Sequence, residues 1–271
     1  MKLNHWHNKV CIVTGASNGL GLAIAKSLAA RKARLVINAR REEPLSRAAE
    51  MLGDSGAEIL SIAGDVTKQE DVDRLAQAVK EEFGRVDFLC NCAGRSARQA
   101  VLDTTPEDFQ ELLDVNFLAT VRMTRRFASS LLKQQGQVVN IGSLASKVAP
   151  RFMGGYPASK HALAAYSQQL RMEHGSAGLH VLLVCPGPIR RENAEVRYEQ
   201  QSAGLPAEAN RPGAGAKLRG IDPEQLAEKI LWACERRKLE LIVPGKVRAL
   251  LVLSQLSPRL GDWLLRRATS G

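Results

Sequence analysis

The stretch KVCIVTGASNGLG, residues 9–21, joins a short apolar run to three closely spaced glycines. Residues 9–14 have the β-branched composition of a buried strand. Gly15, Gly19 and Gly21 then permit a tight turn, and a helix that begins at Gly19 offers unpaired N–H groups and a positive dipole end. This order predicts a binding site for nucleotide phosphates. The glycine spacing differs from the G-x-G-x-x-G fingerprint, and structural strand-to-helix turns also use glycine.

Apolar runs and amphipathic stretches alternate along the rest of the chain. Predicted strands lie at residues 9–14, 34–38, 58–62, 87–91, 137–142 and 180–185. Predicted helices lie at residues 20–32, 43–53, 69–83, 106–133, 156–174 and 222–237. Strict alternation of this kind indicates an α/β fold, in which a doubly wound parallel sheet carries helices on both faces.

Neither an internal repeat nor a low-complexity linker divides the 271 residues, so we expect a single domain over residues 1–271. Residues 188–221 are rich in proline, glycine, alanine and charge, and they follow the sixth predicted strand. Ligands of open α/β sheets bind outside the carboxyl ends of strands. We therefore expect residues 188–221 to form a substrate lid, and residues 244–271 to form a basic, apolar C-terminal extension.

Composition favours a cytoplasmic protein. Hydrophobic residues make up 45% and charged residues 24% of the chain, and its apolar runs fall short of the roughly 20 residues that span a bilayer. No apolar signal-peptide core follows Lys2. The five cysteines are an odd number in mostly apolar surroundings, so we expect neither disulfides nor a metal site.

The formal net charge of +10 raises the question of an anionic partner. Basic residues are spread along the chain and aromatic residues are only 4%, so we expect no nucleic acid. From Arg236 to Gly271, however, eight Lys or Arg residues stand against two acidic ones. Either this tail packs on the substrate site or on a partner subunit, or it lies on an anionic membrane surface.

The end of the second predicted strand bears on the choice of nucleotide. An acidic residue there would bind the ribose 2′-hydroxyl of NAD, whereas arginine favours the 2′-phosphate of NADP. The chain reads INARR, with Arg40 and Arg41. We therefore expect NADP(H) in preference to NAD(H), the alternative being that both arginines form a solvated turn.

Seven short motifs occur in a fixed order. They are TGASNGLG at 14–21, DV at 65–66, NCAG at 91–94, Asn116 in DVNFLAT, Ser143 after VVNIG, YPASK at 156–160 and PGPI at 186–189. Together they resemble the short-chain dehydrogenase/reductase family over nearly the whole chain. The resemblance implies a Rossmann-like oxidoreductase with NAD(P), and a homodimer or homotetramer paired through the helices that carry Asn116 and Tyr156.

The resemblance also implies the site residues. The catalytic residues would be Asn116, Ser143, Tyr156 and Lys160. The cofactor residues would be Gly15, Ser17, Asn18, Gly19, Leu20, Gly21, Arg40, Arg41, Asp65, Val66, Asn91, Ala93, Gly94, Tyr156, Lys160, Pro186, Gly187 and Ile189. Two positions depart from the family pattern: Cys92 replaces an asparagine, and Arg191 replaces a threonine that contacts the carboxamide.

The chemistry explains why such residues occur together. An unperturbed tyrosine has a pKa of about 10, and a neighbouring ammonium lowers the pKa by stabilising the phenolate. Lys160 lies four residues after Tyr156, on one helix face. Pro157 is tolerated only if Tyr156 begins the helix, facing the cleft. Ser143 would hold the substrate oxygen, while Asn116 is either part of the site or a satisfied buried amide.

These observations predict an NADP(H)-dependent oxidoreductase that interconverts an alcohol and a ketone or aldehyde, with Tyr156 as general acid/base. A protein that binds the cofactor for regulation or as a scaffold, without turnover, is the alternative from another class.

Overall fold

The computed structural model describes residues 5–190, 204–206, 209, 215, 216, 218–254 and 256–269. Within these ranges seven strands form one parallel sheet in the order β3-β2-β1-β4-β5-β6-β7. Their bounds are β1 Val10–Thr14, β2 Arg34–Ala39, β3 Ile59–Ala63, β4 Phe88–Asn91, β5 Gln137–Ile141, β6 His180–Pro186 and β7 Glu240–Val243.

Helices connect the strands and cover the sheet. Those of the described ranges are α1 Gly19–Ala29, α2 Glu42–Gly53, α3 Gln69–Phe83, α4 Pro106–Leu113, α5 Ala119–Lys133, α6 Tyr156–His174, α7 Pro223–Glu235, α8 Val247–Ser254 and α9 Pro258–Thr269. A π-helical turn, Asp114–Leu118, joins α4 to α5, and a short 3₁₀ helix, Leu144–Ser146, follows β5. None of these helices combines the length and apolar character that a membrane span requires.

The sheet is buried on both faces. In β1, Cys11 and Val13 pack with α1, α2 and α7, while Val10 and Ile12 pack with α3 and α5 on the opposite side. Side chains alternate between the faces of a strand, so a strand covered on both sides is apolar throughout. The expected doubly wound α/β fold is confirmed.

The register brings the functional segments to one edge of the sheet. Thr14 pairs with Asn38, Asn91 with Asn140, and Ile141 with Val184, so the carboxyl ends of β1, β2, β4, β5 and β6 lie side by side. The segments that follow these strands therefore meet above that edge, which is where open α/β sheets bind ligands.

Three elements differ from the sequence-based expectation. The expected six strands are wrong by one, because β7 is a short edge strand that begins with a glutamate and is mostly half-buried, unlike the apolar buried runs that predict strands. The single helix expected over residues 106–133 is divided by the π turn. The C-terminal extension, for which no helix bounds were predicted, forms two helices, and Pro258 begins the second, where proline fits the first turn.

The Thr14 hydroxyl joins β1 to the end of β4, and its removal should destabilise the fold. Oγ1 accepts hydrogen bonds from the Cys92 N–H at 3.0 Å and the Ala93 N–H at 3.1 Å. Thr14→Val keeps the shape but removes the acceptor, and should lower the free energy of unfolding by about 2 kcal/mol. Urea unfolding would measure this loss. Thr14→Ser is the control, and equal stability of the Val variant would contradict the assignment.

Candidate functional site

The glycine turn after β1 touches the exit of β4. Gly15 has φ +66°, and a Cβ there would lie 3.0 Å from the backbone N and Cα of Ala93. A side chain at this position would be strained and would push the two strand exits apart. The turn and the segment Cys92–Gly94 are therefore packed backbone to backbone.

The start of α1 is open. Its N-cap residue, Asn18, makes no side-chain capping bond, and the first turn holds no acidic residue. A Cβ added at Gly19 would meet nothing within 4 Å, whereas one at Gly21 would lie 2.2 Å from the Gly15 carbonyl oxygen. Backbone N–H groups at a helix start that is open and free of acids can hold an anion such as a phosphate.

Other predicted cofactor residues divide into accessible and buried ones. Arg40 and Arg41 are exposed directly after β2, and neither guanidinium forms a hydrogen bond or ion pair with any residue the structure describes. The Leu20 and Val66 side chains are buried, with 7% and 6% of each residue exposed. Asp65 accepts hydrogen bonds from the Thr67 N–H and hydroxyl at 2.9 and 2.8 Å.

Asn91 is turned into the protein. Its Nδ2 donates to Asn140 Oδ1 at 2.9 Å and to Thr124 Oγ1 at 3.4 Å. Its side chain links β4 to β5 and α5, so contact with a cofactor would have to use its backbone. Gly94, three residues further on, lines the cavity described next.

Ser143, Tyr156 and Lys160 line one cavity of about 280 Å³ above the carboxyl edge of the sheet. Ser143 caps the 3₁₀ helix after β5, with Oγ accepting from the Ala145 N–H at 3.1 Å. Tyr156 is the first residue of α6, and Pro157 lies in its first turn. The expectation that Pro157 places Tyr156 at a helix start facing the cleft is confirmed.

The Lys160 ammonium is buried, with 5% of the residue exposed. Its Nζ donates to the Ile141 carbonyl oxygen at 2.8 Å and lies 5.9 Å from the centre of the Tyr156 ring. The last carbonyl of β5 thus orients the ammonium toward the tyrosine.

Asn116 lies behind this group, in the π turn, with 1% of its surface exposed. Its Oδ1 accepts from the Arg95 N–H at 2.9 Å, while Nδ2 donates to the Arg95 carbonyl oxygen at 2.9 Å and to Ser159 Oγ at 3.1 Å. A Cβ on Gly94 would lie 2.7 Å from Asn116 Oδ1. Asn116 is thus a buried amide whose hydrogen bonds are satisfied. These hydrogen bonds hold the segment after β4 against α6.

Sequence reasoning did not single out three supporting hydroxyls. Thr14 binds the amides after β4, Ser159 binds Asn116, and Ser146 accepts the Ser143 N–H at 3.1 Å. Thr14 and Ser159 lie inside the motifs TGASNGLG and YPASK. Their polar side chains within these motifs were the sequence feature that could have identified them.

The segment after β6 completes the near wall. Pro186, Gly187 and Ile189 line the cavity, and Ile189 forms an isolated bridge with Ile221. Arg191 and most of the expected lid, residues 188–221, lie outside the described residues.

The tail helices α8 and α9 line the same cavity. Residues on one face of each helix line the cavity: Val247, Leu250, Leu251, Leu264, Leu265 and Ala268. Of the two alternatives for the tail, packing on this site is therefore observed for its inner face. Its outer face remains exposed at Val252, Leu253, Leu256, Leu260 and Trp263.

The cysteines are all free, and four of them are buried. Burial raises the pKa of the Cys11 and Cys90 thiols well above the ordinary value, and that of Cys185 to about 12. Such thiols are inert at neutral pH. In the described part of the chain, no group of three or more His, Cys, Asp or Glu residues is arranged to hold a metal ion.

Comparison with known proteins places this geometry in a family. The short chain dehydrogenase model matches residues 9–202. The uncharacterized oxidoreductase YxnA of Bacillus subtilis is 31% identical over 98% of this chain and 74% of its own length. L-sorbose reductase from Gluconobacter frateurii, solved with NADPH and L-sorbose, superposes with a TM-score of 0.79 at 26% identity over 90% of this chain and 98% of its own.

A second solved structure, a short chain dehydrogenase/reductase from Burkholderia phymatum in complex with NAD, has a TM-score of 0.81 at 26% identity, covering 94% of this chain and 96% of its own. The family model spans more than half of the sequence, and the sheet order and the open glycine turn agree with it. The chain therefore belongs to the short-chain dehydrogenase family of oxidoreductases.

Proposed function

We propose that this protein is an NADP(H)-dependent oxidoreductase that interconverts an alcohol and a ketone or aldehyde by hydride transfer. One observation carries the proposal. Ser143, Tyr156 and Lys160 converge on a single cavity at the carboxyl edge of the sheet. That cavity adjoins the segment packed against the open glycine turn.

The residues present fit a nicotinamide dinucleotide. The uncapped start of α1 and the open space at Gly19 suit a pyrophosphate. The uncommitted guanidinium groups of Arg40 and Arg41 suit a 2′-phosphate. Solved relatives bind NADPH in one case and NAD in another, so the preference for NADP(H) rests on these two arginines. When bound, the nicotinamide supplies or accepts the hydride.

The other predicted contacts belong to the same proposal. The glycine turn, from Gly15 to Gly21, would hold the phosphates, and Asp65 and Val66 would lie beside the adenine. The backbone of Asn91, Ala93 and Gly94 would follow the cofactor toward the cavity. Lys160 would bind the ribose hydroxyls, and Pro186, Gly187 and Ile189 would border the nicotinamide. The resemblance to the family supports these assignments.

The side chains then divide the proton transfer among them. Ser143 Oγ accepts the Ala145 N–H, so its own O–H is available to hold the substrate oxygen. Tyr156 gives its phenolic proton to that oxygen in reduction and takes it back in oxidation. Lys160 stabilises the phenolate, because an opposite charge favours the ionised form. Asn116 positions the segment beside Lys160.

The protein assembles as a homodimer or homotetramer through the helices that carry Asn116 and Tyr156, as the family resemblance implies. It acts in the cytoplasm, where free thiols such as its five persist. Residues 1–271 form one domain.

We also propose a peripheral contact between the outer face of the tail and an anionic membrane. Trp263 is 54% exposed and stacks with Arg267, whose guanidinium carbon lies 5.5 Å from its ring centre. Exposed apolar side chains beside basic ones are the composition of a helix that lies in a membrane interface.

Removing the phenol should abolish turnover without loss of binding. Tyr156→Phe should fold, bind NADPH and lose about 10²- to 10⁴-fold in kcat, the usual contribution of a general acid. Oxidation of NADPH with a panel of ketones, aldehydes and quinones measures this. The control is Tyr166→Phe, in the same helix but packed against Phe117 away from the cavity. An active Tyr156→Phe variant would remove the tyrosine from its role. A wild type that binds NADPH but turns over nothing would favour the regulatory alternative.

Reversing the charge at the end of β2 should change the cofactor preference. Arg40→Asp should lower the ratio of NADPH to NADH affinity by roughly 10- to 100-fold, because a charge-assisted bond is replaced by repulsion. Fluorescence titration with each dinucleotide gives the ratio. Arg47→Asp, in the exposed part of α2, is the matched control. An unchanged ratio in Arg40→Asp would refute the assignment.

Membrane contact can be tested by flotation of the full-length protein. The wild type should float with phosphatidylserine vesicles and less with phosphatidylcholine vesicles, whereas Trp263→Asp should stay behind, since it places a charge in the apolar face. Equal behaviour of wild type and variant would disprove the contact. Leu102→Asp, at an exposed apolar position before α4, controls for a general change in hydrophobicity.

A further inference from the structure

The cavity above Tyr156 has two chemically different walls. One carries the polar groups Ser143, Tyr156 and Lys160. The other consists of the inner faces of α8 and α9, which are mainly valine, leucine and alanine and also carry Ser254 and Thr269. Leu144, Val148, Met153 and Leu218 extend the apolar surface between them.

The two arginines that line the cavity already have partners. Arg95 forms an ion pair with Glu111. Arg98 is buried and donates to the carbonyl oxygens of Ala97 and Ala209 at 2.8 and 3.0 Å. A substrate carboxylate or phosphate would have to compete with these bonds.

The described part of the cavity lining offers few polar groups for recognising a sugar. Among the cavity-lining residues that the structure describes, none is Asp, Glu, Asn, Gln or His. The tail hydroxyls are used within their own helices: Ser254 donates to the Leu251 carbonyl oxygen and Thr269 to that of Leu265, each at 2.8 Å. A polyhydroxylated substrate would leave most of its own hydroxyls without partners, which is costly in a closed site.

Close packing fixes the two tail helices against each other. A Cβ on Gly261 of α9 would lie 2.6 Å from the Ser254 carbonyl oxygen of α8. Such contact between backbones holds the two helices at one separation. The apolar residues of both helices therefore form one continuous surface.

From these contacts we propose that the substrate is a neutral, apolar ketone or secondary alcohol, with its oxygen at Ser143 and Tyr156 and its hydrocarbon body against α8 and α9. This inference rests on the proposed function and names the substrate class of the same site. It assigns the tail helices as the element that selects the substrate.

A series of straight-chain methyl ketones tests the inference with the full-length enzyme and NADPH. From 2-butanone to 2-octanone, kcat/KM should rise by about fourfold per added methylene until the cavity is filled. D-Fructose, a polyhydroxylated ketone, should react more than 100-fold more slowly than 2-octanone. A flat series, or a preference for fructose, would overturn the inference while leaving the proposed function intact. Bound NADPH with no turnover of any carbonyl compound would refute both together.

A pair of neighbouring substitutions locates the selectivity in the tail. Leu251→Asn, on the inner face of α8, should lower kcat/KM for 2-octanone at least tenfold more than for 2-butanone. Val252→Asn, next in the chain but 60% exposed on the outer face, should leave the ratio of the two unchanged. Equal loss for both ketones in Leu251→Asn would show a structural effect only and would contradict the assignment. The wild-type series decides the substrate class independently of whether that variant folds.

Discussion

The backbone contact between Gly15 and Ala93 sets the distance between the two halves of the site. The glycine turn belongs to β1 and the cavity lies beyond β4, and these strands are neighbours in the sheet. With no side chain at Gly15, the turn rests on the segment Cys92–Gly94, and the Thr14 hydroxyl binds two amides of that segment. A larger residue at Gly15 would separate the place for phosphates from the place for chemistry.

Backbone groups and a missing side chain also shape the surroundings of Lys160. A buried ammonium is costly unless it is hydrogen-bonded. The terminal carbonyl of β5 supplies one bond, and Gly94 leaves room for Asn116 Oδ1 beside it. The π turn contains one residue more per turn than a regular α-helix, and this shifts the direction in which Asn116 points. Asn116 therefore lies buried in the protein. The charged group is thus held by the ends of regular elements, whose positions the core determines.

Much of this could be predicted from the sequence because its signals are local. Buried parallel strands read as β-branched runs, and six of seven were predicted within a residue or two. Pro157 placed Tyr156 at a helix start. By contrast, β7 depends on pairing with β6, and the π turn on tertiary contacts of Asn116. The inward turn of Asn91 follows from its register with Asn140, which no sequence motif encodes.

The tail shows why charge alone leaves its surroundings undecided. Its basic and apolar residues were compatible with packing on the substrate site or a partner subunit and with an anionic membrane surface, and periodicity divides the segment into two faces with different surroundings. The inner face lines the same cavity as Tyr156 and Lys160, while the basic residues and Trp263 are exposed. An apolar substrate seated against this face would displace water, lower the effective dielectric around the ammonium and so strengthen its attraction for a phenolate. The helices that select the substrate would then also favour the proton transfer, because both effects depend on keeping water out of the same space.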